Sequence, residues 1–324
     1  MPAEGPAGTG FVHHACLYGS DAEFLATAVP FVRDGLAAGE PVLAATTPAN
    51  IELLQRALGE RAHALDTAET AYFGRRPVER VTAFLRYHDR RARPGRRTRM
   101  IAEPVWGGKS ARQVAEWKRM ESGLNVLLAA LPVWMICPYD TRTVPADVAR
   151  AACATHPARL DGRRLIPCAG YADPGAYAAE VAPPRSPAPP GAARTGPTAR
   201  RAAVRRFARE RAVAAGLSGE RLALAVLAVC EAAGYLLAGG GTRVALRAWE
   251  EPGAVAYELL CTRDGGRALA VPAFVGFHPP GPAAHPEDGL WLARTLSESL
   301  EVRAKGALTR VTLRIAGPGD AERL

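Results

Sequence analysis

Residues 181–198, VAPPRSPAPPGAARTGPT, divide this chain more sharply than any other stretch. They hold six prolines and two glycines and almost no large apolar side chain. Such a composition cannot bury a core and favours extended, polyproline-like backbone. Both flanks return to patterned sequence, and 324 residues are too many for one ordinary domain. The sequence therefore predicts a disordered N-terminus over 1–10, a first domain over 11–178, a linker over 179–198 and a second domain over 199–318.

The two domains carry different patterns. In the first, short apolar runs at Phe11–Tyr18, Val42–Thr46, Arg99–Ala102 and Val133–Cys137 read as strands. Helical stretches at Asp21–Ala38, Ala49–Leu58, Val78–Arg91 and Ala111–Ala130 separate them. Alternation of helix and buried strand predicts an α/β domain with a largely parallel sheet. In the second, helices at Thr198–Ala215 and Gly219–Ala238 precede strands at Thr242–Trp249 and Val255–Thr262, a helix at Asp288–Leu300 and a strand at Thr309–Ile315. That order predicts an α+β sandwich of helices on an antiparallel sheet.

The apolar runs look too short, or too broken by Arg and Gly, to span a membrane. The first residues, MPAEGPAGTG, lack the basic region and apolar core of a signal peptide, so a cytoplasmic location is expected. The six cysteines (Cys16, Cys137, Cys153, Cys168, Cys230, Cys261) are scattered, with no CxxC, and no metal site is expected from their spacing. The net charge of +9 comes mainly from Arg, with a cluster at Arg90, Arg91, Arg93, Arg96, Arg97 and Arg99. A solvated face explains that cluster better than a nucleic-acid surface, because no DNA-reading or aromatic-basic RNA motif accompanies it.

In α/β sheets, ligands sit outside the carboxyl ends of the strands. Glu103 and Trp106 follow one predicted strand, Tyr139 and Asp140 follow another, and His13 and Tyr18 lie on the first. Aromatic walls with a few polar groups suit a small organic ligand. Each residue also has a plainer reading: Glu103 and Asp140 as helix caps, Trp106 as core, His13 as a buried, satisfied imidazole. Gly108-Lys109-Ser110 ends like a P-loop, but the glycine that loop needs five residues earlier is Glu103, a carboxylate that would repel phosphate.

The segments FVHHACLYGSDAEFL, VRDGLAAGEPVL, AEPVWGGKS and CPYDT, with the helix bearing Glu121 and Asn125, resemble the MEDS sensory domain of bacterial and archaeal signalling proteins. The resemblance covers about residues 11–178 and implies sensing of a small hydrocarbon-like molecule rather than catalysis.

The second domain resembles the histidine-kinase-like ATPases, and within them the anti-sigma regulatory factors related to serine-protein kinases. The helix ERLALAVLAVCEAAGYLLA places Glu231 where that family has its general base. Tyr235 stands where the family has the Asn that holds Mg²⁺, and a phenol is a poor ligand for a hard cation. In LLCTRDGG, Asp264 and Gly266 match the adenine-reading box, although its next Gly is Ala268. In HPEDGLWLARTL, Gly289 matches the end of the phosphate lid, whose paired glycines are missing. The resemblance implies an ATP·Mg site that is weakened or lost. It also implies output through contact with a sigma factor or an anti-sigma-factor antagonist. The rival reading is an active ATP-dependent serine-protein kinase. Glu231 has a plain alternative as a polar residue closing a buried helix, and Asp264-Gly265-Gly266 as a hairpin turn.

Overall fold

The computed structural model describes residues 10–182, 187–262 and 270–317. The chain forms two compact units, Met1–Pro183 and Pro184–Leu324.

The first unit alternates strand and helix: β1 (Val12–Tyr18), α1 (Asp21–Ala37), β2 (Val42–Thr46), α2 (Pro48–Leu58), β3 (Asp66–Glu69), α3 (Pro77–Arg91), β4 (Thr98–Ala102), α4 (Ala111–Leu127), β5 (Val133–Asp140), α5 (Ala146–Thr155), β6 (Ala158–Asp161), β7 (Arg164–Pro167) and α6 (Pro174–Glu180). Helix starts follow local chemistry. Ser20 caps α1, and Thr47 caps α2 ahead of Pro48. Ser110 and Gln113 form a capping box on α4, the role that the P-loop-like Gly-Lys-Ser takes here.

The strands form one sheet in the order β3-β2-β4-β5-β1-β6-β7, parallel except for the β6–β7 pair. Every residue of β2 and β4 is buried, as central parallel strands covered on both faces require. Right-handed crossovers put α1 and α2 on one face, since β1→β2→β3 runs toward one edge, and α3, α4 and α5 on the other. The sequence missed β3, β6 and β7, which are short and partly exposed.

The second unit comprises β8 (Ala193–Thr198), α7 (Arg201–Ala214), α8 (Gly219–Ala238), β9 (Val244–Glu251), β10 (Ala254–Thr262), α9 (Asp288–Thr295), β11 (Ser299–Lys305) and β12 (Leu308–Ala316). Its sheet is antiparallel, in the order β11-β12-β10-β9-β8. Alternate residues of β12 are buried, and Val311, Leu313 and Ile315 join Val229, Ala232 and Leu236 of α8 in one core.

Three expectations change. The linker predicted over 179–198 is not all linker: Ala193–Thr198 is the edge strand β8, paired with β9. Its ladder is irregular between Thr195 and Thr198, where Pro197 sits, and an edge is where a strand tolerates proline. The helix predicted over Asp288–Leu300 stops at Thr295, and Leu300 is a buried strand residue opposite Leu313. Finally, α8 is long and apolar enough, by length and composition, to cross a membrane. Within the unit it packs into the core through Ala225, Ala228, Val229, Ala232, Ala233 and Leu236.

Three members of the Arg cluster are tied to their own unit. Arg99 is buried, pairs with Glu40 and lies 4.6 Å over the Trp134 ring. Arg91 pairs with Asp66, and Arg93 donates to the Gly39 carbonyl.

Candidate functional site

Connections leave neighbouring strands toward opposite faces at β2/β4 and at β5/β1, which opens crevices at the carboxyl edge of the first unit's sheet. Glu103, just past β4, lies at this edge and is buried. Its carboxylate accepts from Tyr18 Oη (3.0 Å), from Asn50 Nδ2 (2.9 Å) and from the Thr46 hydroxyl. The ends of β1 and β2 and the first turn of α2 thus converge on one carboxylate. Burial and the neighbouring Glu103 hold the Tyr18 phenol above its ordinary range.

Arg80, wholly buried on α3, braces this edge. Its guanidinium donates to the carbonyls of Glu103 (2.8 Å) and Phe73 (3.0 Å) and to Thr70 Oγ1 (3.0 Å). The rings of Phe73, Phe84 and Trp117 enclose it at 5.3–5.7 Å. Gly74, at φ +74°, lets the loop lie on the Arg80 backbone; a Cβ there would meet Arg80 Cα at 2.4 Å.

A second polar cluster lies on the α4 side of the sheet. Strand alternation separates His13 from His14. His14 faces α1, accepting from Trp134 Nε1 at 3.2 Å, with Trp134 edge-on to Phe31 of α1. His13 faces α4: its Nδ1 meets Asn125 Oδ1 at 3.2 Å and its Nε2 meets Cys137 Sγ at 3.3 Å. His156, which caps the end of α5, packs against His13 with ring centroids 3.9 Å apart and the planes tilted by 41°. Glu121 of α4 completes the group, 3.9 Å from His13 Nε2 and 3.7 Å from His156 Nε2. Tyr139 donates to Glu121 at 3.4 Å.

Desolvation sets the charges here. It lowers His13 well below its ordinary value and His156 to about 3, so both imidazoles are neutral. The His–Glu approaches, although within ion-pair distance, are therefore not ion pairs. Burial also raises Glu121 to about 7 and the Cys137 thiol well above its usual range.

Trp106 joins the two clusters. It follows Glu103 by three residues, stacks on Tyr139 with centroids 6.2 Å apart, and meets Trp117 edge-on. Its indole N–H is buried and finds no acceptor among the described residues.

Of the residues predicted for one sheet edge, the structure keeps Tyr18 and Glu103 together there. It brings His13 and Tyr139 together beneath, on the α4 face, with Trp106 against Tyr139. His13 lies near the start of β1, not at its carboxyl end. Asp140 stands apart, held by Arg142 at 2.8 and 2.9 Å in a partly exposed pair that pulls its carboxyl below the usual range. Spacing carried no signal for Asn50, Arg80, Cys137 or His156, because their partners stand far off in sequence: His13 and Cys137 are 124 residues apart. Glu121 and Asn125 were visible only in the family resemblance.

In the second unit, Glu231 and Tyr235 lie one turn apart on α8, and α9 crosses them at Gly289. A Cβ on Gly289 would lie 2.8 Å from Glu231 Oε2 and 3.2 Å from its carbonyl oxygen. Gly289 is thus a contact point between two helices. The Tyr235 phenol is pushed up to about 12 by burial and by Glu287. Asp264 and Gly266 lie outside the described residues.

Residues 12–157 match the family model described as "MEthanogen/methylotroph, DcmR Sensory domain", or MEDS. Over these residues the first unit is similar to a MEDS sensory domain, a match that supports a signalling role. No curated protein matches the chain.

Proposed function

We propose that the chain is a cytoplasmic signalling regulator whose MEDS domain takes a small, largely apolar organic molecule with one polar head. The observation that supports this most directly is Trp106. A buried indole N–H without an acceptor costs about 1–3 kcal/mol of desolvation, and a ligand acceptor atom would satisfy it. Tyr139 stacks on that indole, Glu103, which accepts from Tyr18, precedes it by three residues, and Glu121 links Tyr139 to His13. The test is a screen of short-chain alcohols, ketones and halogenated hydrocarbons against the full chain, read by tryptophan fluorescence and melting temperature. A hit should raise the melting temperature, and Trp106→Phe should weaken it at least tenfold. Hits unaffected by Trp106→Phe and Tyr139→Ala would remove this site.

The second unit is read as the output. Helices on an antiparallel sheet, with Glu231 and Gly289 side by side, support the anti-sigma-like reading. Its action would be protein–protein contact with a sigma factor or its antagonist, because Tyr235 replaces the metal-holding amide. Calorimetry of the full chain should show no tight Mg·ATP binding, and micromolar affinity would restore the kinase reading.

A further inference from the structure

We propose that His13, Glu121, Cys137 and His156 form a closed site for one divalent transition-metal ion of the zinc class. Each offers one ligand atom, all four residues are buried, and the four atoms lie within 4.8 Å of one another. Tetrahedral zinc, with bonds of about 2.0–2.3 Å, sets its ligand atoms about 3.3–3.7 Å apart. The observed separations of 3.3 Å (His13 Nε2 to Cys137 Sγ), 3.7 Å and 3.9 Å (each Nε2 to Glu121 Oε2) are close to that already.

The surrounding hydrogen bonds fix how the imidazoles are aimed. Asn125 spends its amide hydrogens on the carbonyls of Ser122 (3.1 Å) and Thr155 (2.8 Å), so its Oδ1 must accept from His13 Nδ1–H. The Nδ1–H of His156 donates to the Ala152 carbonyl at 2.8 Å. Both Nε2 atoms therefore carry bare lone pairs toward the centre, the arrangement that metal-ligating histidines take from their outer partners.

A metal-free hydrogen-bond network does not account for the cluster. The groups available to donate into it are the Cys137 S–H, the Tyr139 O–H and, when protonated, Glu121. His156 Nε2 is buried without a partner, and Glu121 at 3.7 Å is too far to supply one. A cation meets that lone pair directly. The donor set selects the ion: a thiolate and two imidazoles suit zinc, cobalt or iron and disfavour magnesium and calcium. One thiolate and one carboxylate neutralise a 2+ charge, so the complex can be buried without a net charge. Four protein ligands leave no open position, which marks a structural site rather than a catalytic one. The ion would tie β1, α4, β5 and the end of α5 together beneath Tyr139.

This inference does not rest on the sensory reading, because metal content is measured without any organic ligand. The full chain is stripped with a chelator, reloaded with Zn²⁺ or Co²⁺ under reducing conditions, desalted and assayed by elemental analysis and absorption. One metal per chain is expected. The cobalt form should show a thiolate-to-metal charge-transfer band and visible bands of tetrahedral intensity. Cys137→Ser should abolish the charge-transfer band, His156→Gln should weaken zinc at least tenfold, and Cys16→Ser, at a buried thiol outside the cluster, should change neither. Wild-type protein that retains no stoichiometric metal, or a cobalt band that survives Cys137→Ser, would overturn the site. The wild-type spectrum decides the matter even where a variant fails to fold.

Discussion

At the scale of single residues, the same edge holds a satisfied polar group and an unsatisfied one, and they should respond oppositely to substitution. Tyr18 donates to a buried carboxylate, a bond worth about 1.5–3 kcal/mol when the acceptor is charged. Tyr18→Phe should therefore lower the stability of the first unit by about that amount in urea unfolding. Trp106→Phe removes an orphaned N–H while keeping most of the ring, and should cost less than about 1 kcal/mol or stabilise. Loss of more than Tyr18→Phe would mean the indole has a partner. His88 supplies a pH test away from the metal cluster. Its Nδ1 meets Thr98 Oγ1 at 2.9 Å, and burial holds the imidazole below its ordinary value. As pH falls through about 6.5, the unfolded chain takes up this proton before the folded one, so stability falls with it. His88→Gln should flatten that acid slope; an unchanged slope would show that His88 is already charged in the fold.

At the scale of elements, most of the first unit was legible because its strands are buried on both faces and its helices carry ordinary caps. What escaped lacks an apolar signal: β3 reads DTAE, and β8 reads ARTGPT within a proline-rich stretch. The over-long helix at 288–300 arose because SLEV serves either period, and pairing of Leu300 with Leu313 settles it as strand. The site was legible only in fragments. Tyr18 and Glu103 could be placed at strand ends, but which face His13 meets depends on α4 packing across the sheet. Two substitutions separate a local from a packed constraint. Ser110→Ala removes one cap from α4 and should cost about 1 kcal/mol. Gly74→Ala puts a Cβ 2.4 Å from Arg80 Cα at a positive φ, and should cost clearly more, about 3 kcal/mol. Equal losses on denaturant melts would refute the close approach at Gly74.

At the scale of the whole molecule, the proline-rich stretch both separates the two units and builds one of them. Arg194 lies in that stretch, and trypsin would cut after it were the segment an exposed linker. Arg194 is hydrogen-bonded in register with Arg247, and trypsin should spare the Arg194–Thr195 bond while the second unit stays folded. Mass spectrometry of early fragments tests this, and an early cut there would return β8 to the linker.

The strand order of the first unit has a consequence for how it is made. β1 leaves the ribosome first, yet its neighbours in the sheet are β5 and β6, formed more than a hundred residues later. Until they arrive, the nascent chain carries an apolar strand with both edges bare, the condition under which chains associate wrongly. The long loop that must close to bring Val133–Asp140 beside Val12–Tyr18 makes the central pairing a late and slow event. A unit whose centre is stitched from its two ends is all present or not present at all. A truncated product ending before β5 would keep His13 but lack Cys137 and His156, and with them both the centre of the sheet and the cluster that meets across it.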